Sequence, residues 1–221
     1  MNVLLAVLWK DLLSEWRRRD RVLAMLLFSL LVVAVFHFAL VGVSDAQLRA
    51  SVPGLLWIAF LFASVLGFNR AFALELENDA LSGLALAPAD PGWIFLGKAT
   101  ANFLLLVVVQ AVTAAVFGVA FDLALAPIAL RLAGIVALGS VGLTLVGTLF
   151  AAVAVRTRYR EVMLPLLMLP VLMPVLIGAV QATAALFGGE GVAAGSLRLL
   201  LVFDLVYLIV SFLIFEYVLD E

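Results

Sequence analysis

The sequence predicts an all-α integral membrane protein: one bundle of six transmembrane helices preceded by an interfacial helix. Of its 221 residues, 67% are hydrophobic and only 13% are charged, whereas ordinary soluble domains are about half apolar. An apolar excess of this size does not fit inside one soluble core, so lipid surrounds most of the chain. Six apolar runs are each long enough to cross the hydrocarbon, which takes about 20 helical residues.

Residues 1–21 are predicted to form an amphipathic helix in the membrane interface. Its apolar residues recur at helical spacing with charged residues between them: Leu5, Leu8, Leu12 and Trp16. A cluster of four arginines closes it: Arg17, Arg18, Arg19 and Arg21. We interpret these arginines as topology anchors, and direct contact with a partner is the alternative. Because the basic cluster follows the apolar residues, we do not expect a removed signal peptide.

The predicted spans are residues 22–43, 52–72, 94–121, 128–155, 162–187 and 197–219, within one permease-like domain over 1–221. Ten cations fall on one side of this arrangement: Lys10, Arg17, Arg18, Arg19, Arg21, Arg70, Lys98, Arg156, Arg158 and Arg160. Three fall on the other side: Arg49, Arg131 and Arg198. The positive-inside rule then predicts that both termini are cytoplasmic.

The segment 73–93 is predicted to lie at the cytoplasmic mouth of the bundle as a short coupling helix. Glu75, Glu77 and Asp79 supply three carboxylates, and Leu81 and Leu84 supply apolar positions. Two prolines, Pro88 and Pro91, end the helix, since proline lacks a backbone donor. Such an amphipathic helix can dock in a groove of a soluble partner, and an ATPase is the partner class that we expect. These five residues are the predicted ATPase-coupling residues.

Two spans contain helix-modifying residues. The fourth contains Gly139, Gly142 and Gly147, and we expect these glycines to form a small-residue face for close helix packing. The fifth contains three prolines, each deleting one backbone hydrogen bond: Pro165, Pro170 and Pro174. We treat these prolines as hinge candidates, and a bent but static helix is the alternative.

The sequence contains no strong signal for catalysis or for a bound metal. Residues 92–99, GWIFLGKA, resemble a phosphate-binding loop only superficially, because Ala99 replaces the required hydroxyl and no strand precedes it. We expect Lys98 instead to anchor the third span at the headgroups. His37 is the only histidine, and it is a weak candidate for axial haem ligation, with hydration near the outer interface as the alternative. A net charge of −2 argues against a nucleic-acid partner.

Three classes of protein fit a six-span bundle without an energy source. They are the permease of an ATP-driven transporter, a secondary carrier, and an assembly or scaffold subunit. A carrier typically shows buried charges or broken helices at corresponding places in two halves, and neither is evident. The coupling segment favours the first class, with the ATPase on a separate chain, so we do not expect this chain to be an enzyme.

The residues of three blocks resemble one family. Residues 53–88, PGLLWIAFLFASVLGFNRAFALELENDALSGLALAP, resemble the CcmB family, the haem exporter protein B permeases of cytochrome c maturation. Residues 94–106, IFLGKATANFLLL, and 164–179, LPLLMLPVLMPVLIGA, are similar to that family's third and fifth spans. The acidic pattern over 75–88 alone is shared more broadly by ABC-2-type permeases.

The resemblance implies a complex in the bacterial inner (plasma) membrane. Its other members are an ABC ATPase subunit (CcmA-like, in two copies), a haem-handling membrane subunit (CcmC-like), a small single-span subunit (CcmD-like) and a haem chaperone (CcmE-like). ATP and haem are then bound by partner subunits. The complex couples ATP hydrolysis to haem export or to release of the haem-loaded chaperone. The alternative is a general ABC-2-type permease that exports a lipid, glycan or drug.

Overall fold

The computed structural model describes residues 3–72, 90–155, 157, 159–189, 191 and 194–220, and their side chains except at positions 45, 160, 219 and 220. The helices in these ranges are α1 (Val3–Arg18), α2 (Asp20–Ala39), α3 (Asp45–Ala71), α4 (Pro91–Ala120), α5 (Ala129–Ala154), α6 (Arg160–Phe187) and α7 (Ala194–Asp220), with a 3₁₀ turn (Ala126–Ile128) before α5. Six of them, α2 to α7, are long and apolar enough to cross a membrane. The predicted all-α bundle of six spans is therefore confirmed.

Several helices have bounds that differ from those of the predicted spans, because hydropathy follows the hydrocarbon rather than the helix. The break after α1 falls at Arg19, whose φ of 56° is left-handed, so α2 begins at Asp20 and ends before the predicted residue 43. The next helix begins at Asp45 rather than at residue 52 and continues through Pro53. A helix satisfies its own backbone groups in water as well as in lipid, so polar residues extend α3 beyond its apolar run.

The central element of the bundle is α5, which packs against α3, α4, α6 and α7. In its most apolar stretch 72% of the residues are buried, compared with 17% in α2 and in α7. Two of its glycines face α3: a Cβ on Gly139 would overlap the Trp57 ring, and one on Gly147 would overlap the Phe68 ring. These glycines therefore permit an interhelical contact that any larger side chain would block.

The third glycine faces a different pair of helices. A Cβ on Gly142 would lie 2.7 Å from Val175 Cγ2 on α6 and 2.8 Å from Asp204 Oδ1 on α7. Successive helical residues are rotated by about 100°, so the three glycines span about 140° around the axis of α5, and Gly142 lies at the margin that faces α6 and α7. Close packing at these positions is confirmed, but the prediction that the three form one face was wrong.

Interhelical hydrogen bonds establish the relative directions of the helices. Asn102 Nδ2 on α4 donates to Thr148 Oγ1 on α5 at 2.8 Å, and Ser140 Oγ on α5 donates to Gln110 Oε1 on α4 at 2.6 Å. From the first pair to the second, the residue number increases on α4 and decreases on α5. These two helices are therefore antiparallel. Both bonds are buried, and they connect the helix that follows the predicted coupling segment to the centre of the bundle.

The proline-rich helix α6 is continuous from Arg160 to Phe187. Pro170 is exposed, and Pro165 and Pro174 are partly buried. Helical residues on both sides of each proline are retained, as is common in membrane proteins, where neighbouring groups compensate for the missing donor. The hinge at these residues stays a prediction.

We predict that Gly147→Ala destabilises the folded protein, because the new methyl group would overlap the buried Phe68 ring. Overpacking of this kind costs about 1–3 kcal/mol. The control is Gly134→Ala, since a Cβ at this exposed position of α5 has no neighbour within 4 Å. Thermal unfolding of the purified protein in detergent measures both, and equal melting temperatures would contradict the packing.

Candidate functional site

The candidate site is the end of the bundle where α3 and α4 flank the predicted coupling segment. All five predicted coupling residues lie outside the described residues: Glu75, Glu77, Asp79, Leu81 and Leu84.

The residues that flank this segment are described. Phe72 follows the end of α3, and Asp90 caps α4 by accepting a hydrogen bond from Gly92 N at 2.8 Å. With Pro91 in its first turn, α4 begins three residues before the predicted span.

Lys98 forms a buried junction at this end of the bundle. Its side chain is 2% exposed, and its Nζ lies 3.2 Å from Asp11 Oδ2 on α1. The same Nζ lies 4.5 Å from the centroid of the Phe72 ring, a cation–π distance. Lys98 thus contacts α1 and the end of α3 from its place on α4. We refer to Lys98, Asp11 and Phe72 as the Lys98 junction.

The expectation that Lys98 anchors α4 at the lipid headgroups was wrong. Its position near the end of a span suggested an extended, hydrated ammonium group. Instead α1 folds against α4 and covers it. A Cβ on the neighbouring Gly97 would lie 2.9 Å from the Leu4 carbonyl oxygen and 2.9 Å from Val7 Cβ. Glycine at position 97 therefore permits α1 to approach closely enough for Asp11 to reach Lys98.

The buried polar face of α4 continues from this junction into the bundle. Its members recur at spacings that place them on one side of the helix: Lys98, Asn102, Gln110 and Thr113. Arg21 Nη2 on α2 donates to Asn102 Oδ1 at 2.8 Å, and Asn102 also donates to α5 as described above. Further along, Thr113 Oγ1 lies 2.8 Å from Ser29 Oγ on α2. The face therefore bonds α4 to α1, α2 and α5.

The Lys98 junction is a charged contact that joins three helices of the bundle. A buried ammonium group is tolerated only with a charge or hydrogen-bond partner, so the Lys98–Asp11 pair holds α1 in a defined place. Within the described ranges, no three His, Cys, Asp or Glu side chains group as metal ligands. The site is suited to transmitting a displacement between helices.

His37 lies near the end of α2 and is exposed. Its ring makes edge contacts with Phe38, at 5.6 Å between centroids, and with Phe121, at 5.7 Å. It is remote in sequence from the Lys98 junction, and the structure does not bring the two together. Axial ligation of haem by His37 stays a prediction.

Asp204 on α7 is a buried carboxylate at 7% exposure. Neither carboxylate oxygen accepts a hydrogen bond from any residue within the described part of the chain. It lies beside Gly142 on α5, where Val175 of α6 is also close. An unpaired polar group in such surroundings lowers stability, and an ionisable group within a span is a functional candidate by default.

A scan against family models matches the CcmB protein family over residues 2–219. The chain belongs to the CcmB family. It is similar to the heme exporter protein B of Paracoccus denitrificans, at 33% identity over 86% of this chain and 83% of the relative. The Rhodobacter capsulatus protein of that name is 34% identical over 76% of this chain and 75% of its own length. The one from Bradyrhizobium diazoefficiens is 30% identical over 96% and 94%.

The family match confirms the resemblance seen in the three sequence blocks. It also covers the residues of the Lys98 junction, which sequence reasoning did not bring together. No local pattern pairs Asp11 with Lys98, because they are 87 residues apart. The one available signal was Gly97, a glycine beside a lysine inside an apolar helix, which suggests a close helix approach.

We predict that Lys98→Met loosens α1 from α4. The variant keeps the length of the side chain but removes a charged hydrogen bond, which contributes roughly 1.5–3 kcal/mol. Backbone amides of α1 should then exchange with deuterium about tenfold faster, measured by mass spectrometry. Lys10→Met is the matched control, because Lys10 pairs with the same Asp11 at 3.1 Å but is about half exposed. Equal exchange in both variants would argue against the junction.

We predict that Asp204→Leu raises the melting temperature of the purified protein. Leucine has nearly the same shape and loses no hydrogen bond to a described residue, while the penalty of about 1–3 kcal/mol for a buried unpaired group is removed. Asp204→Asn is the matched control, since the amide remains polar and should stabilise less. A lower melting temperature for the leucine variant would show that the carboxylate has a stabilising partner.

Proposed function

We propose that this CcmB-family chain is the membrane subunit of an ABC transporter complex for cytochrome c maturation. In this complex it couples ATP hydrolysis by a separate ATPase subunit to haem export or to release of the haem-loaded chaperone. The observation that carries the proposal is the family match over residues 2–219. It is supported by relatives named heme exporter protein B, matched over most of their own length. These relatives do not favour the alternative of a general lipid, glycan or drug exporter.

The proposal includes the partners expected from the family. They are two copies of a CcmA-like ATPase, a CcmC-like haem-handling subunit, a CcmD-like single-span subunit and a CcmE-like chaperone. ATP and haem are bound by these partners, and this chain contributes a multi-pass bundle in the bacterial inner membrane with both termini in the cytoplasm. The ten-to-three distribution of cations supports that orientation.

The first step of the proposed mechanism takes place at the coupling segment. Residues 75–86 seat in the ATPase, and closure of two ATPase subunits displaces the segment. The Lys98 junction supports this step, because Phe72 lies at one end of the segment and α4 begins at the other. Asp11 adds α1 to the same junction. A displacement of the segment therefore acts on α1, α3 and α4 together.

The second step moves the displacement into the bundle. Asn102 lies one helical turn beyond Lys98 and bonds both Arg21 on α2 and Thr148 on α5. Paired buried groups resist separation, so a tilt of α4 draws α2 and α5 with it. We propose that the prolines of α6, which packs on α5, absorb the resulting bend. Discrete packing arrangements amplify small shifts of this kind.

We predict that charge reversal at Glu75, Glu77 and Asp79 uncouples the complex while the bundle stays folded. The reversed charges would repel the surface that accepted the carboxylates, and a like-charge contact costs several kcal/mol. The measurement is affinity purification of the tagged chain from its host, with recovery of the ATPase subunit and the yield of c-type cytochromes. Both should fall at least about tenfold.

The control is Arg131→Glu, a charge reversal at an exposed position on α5 at the opposite end of the bundle. It should leave ATPase recovery and cytochrome yield unchanged. Unchanged melting temperatures in all variants establish that the bundle is folded.

Two outcomes would contradict the proposal. Wild-type ATPase recovery in the triple variant would overturn the docking site. Normal c-type cytochromes in a deletion strain would overturn the cytochrome c assignment.

A further inference from the structure

The amphipathic helix α1 has two apolar faces rather than one. One face contacts α4 through Val7 and the backbone at Leu4. The other carries four large apolar residues that are 40–73% exposed: Leu5, Trp9, Leu13 and Trp16. Leu8 and Leu12, two of the four apolar residues that recur at helical spacing in the sequence, are partly buried. The exposed stripe therefore keeps Leu5 and Trp16 of the predicted residues and adds Trp9 and Leu13, so it includes both tryptophans of the helix.

Basic side chains border this exposed stripe. Helical rotation places Lys10 and Arg17 along one edge of it. Arg18 lies in the last turn of the helix, and the same rotation directs it away from the stripe. In the part of the chain that is described, the side chains of Arg17 and Arg18 are exposed and make no ion pair or hydrogen bond. Three carboxylates lie nearby. Asp11 forms an ion pair with Lys98, and Glu15 accepts a hydrogen bond from Val22 N at 3.2 Å. The third is Asp20. Cations remain in excess at this corner.

The geometry of the α1–α2 corner fixes the depth of these arginines. The helix α2 has 20 residues from Asp20 to Ala39, which at about 1.5 Å per residue matches the hydrocarbon thickness of about 30 Å. Arg17 and Arg18 precede its first residue, so they lie at the level of the headgroups. Arg19 makes the corner sharp through its left-handed φ, and its guanidinium group packs over the Trp16 ring at 5.2 Å.

We propose that the exposed face of α1 binds the cytoplasmic leaflet and that Arg17 and Arg18 bind the phosphate headgroups of anionic phospholipids. Leucine and tryptophan insert at the boundary between headgroups and acyl chains, where aromatic rings with a polar atom are favoured. Arginine binds phosphate through two parallel N–H donors. Because the opposite face of α1 is held by the Lys98 junction, anionic lipid would set the position of the helix that shares this junction with α4.

The first test uses the purified full-length chain in nanodiscs made from phosphatidylcholine and phosphatidylglycerol. Native mass spectrometry measures how much of each lipid the chain retains. Wild type should retain phosphatidylglycerol preferentially, and Arg17→Gln with Arg18→Gln should weaken this preference roughly fivefold for each arginine removed. The matched control is Arg131→Gln with Arg198→Gln, which removes two exposed cations at the opposite end. No preference in wild type, or equal losses in both variants, would overturn the proposal.

The second test does not depend on any charge variant. Brominated phospholipids quench tryptophan fluorescence on contact, and Trp9→Phe with Trp16→Phe should remove most of the quenchable signal. Trp57 is buried, and Trp93 is half exposed and can keep its own quenching, so the signal that is lost is the part from Trp9 and Trp16. An unchanged quenched fraction would overturn membrane insertion of this face. Loss of quenching when the ATPase partner is added would assign the face to a protein partner instead.

Discussion

The bundle depends on the close approach of helices to α5. Within a membrane, helices are not driven together by the hydrophobic effect, because lipid tails are as apolar as their side chains. Contact then depends on dispersion between well-fitted surfaces and on interhelical hydrogen bonds. Three glycines on α5 admit Trp57 and Phe68 from α3 and Val175 from α6. Since these glycines point in different directions, α5 receives neighbours around its circumference and becomes the centre of the bundle.

The second constraint is the cost of burying polar groups in hydrocarbon. The polar face of α4 is tolerated because each of its side chains has at least one partner on another helix, although Gln110 Nε2 donates to no described residue. Each pair also fixes the position of α4 relative to one neighbouring helix. The pairs are therefore fixed points between α4 and these helices. Lys98 provides the strongest of these points, since its charge is buried and its partner is an anion. Asp204 is the contrasting case, a buried carboxylate whose oxygens accept no hydrogen bond from the described residues.

The interfacial helix α1 connects these constraints to the membrane surface. One side contributes Asp11 to the Lys98 junction, and the other exposes apolar residues bordered by arginines. A helix with this arrangement does not only anchor the chain. We propose that it places a surface sensitive to headgroup charge next to α4, the helix that follows the predicted coupling segment. In the mechanism that we propose, displacement of that segment and the composition of the leaflet both act on this one short element.

Hydropathy alone determined the number and order of the spans, because burial of apolar residues in hydrocarbon is a local property of each run. The same local reasoning found the interfacial helix, and three sequence blocks sufficed to recognise the family. The helices do not share the bounds of these runs: α2 ends before its apolar run does, and α3 begins before its apolar run. The predicted coupling residues lie in 73–89, so sequence alone defines them at present.

Tertiary structure alone decided which side chains meet. Asp11 and Lys98 are separated by most of three helices, and nothing in either segment encodes their pairing. Lys98 looked like a headgroup anchor because its helix was considered in isolation, whereas α1 covers it in the folded chain. The exposed stripe of α1 shifted to Trp9 and Leu13 for the same reason. A contact between distant segments depends on how the helix surfaces fit together after the helices have formed. That fit is set by the residues of all the helices in the bundle, so no single segment reveals it.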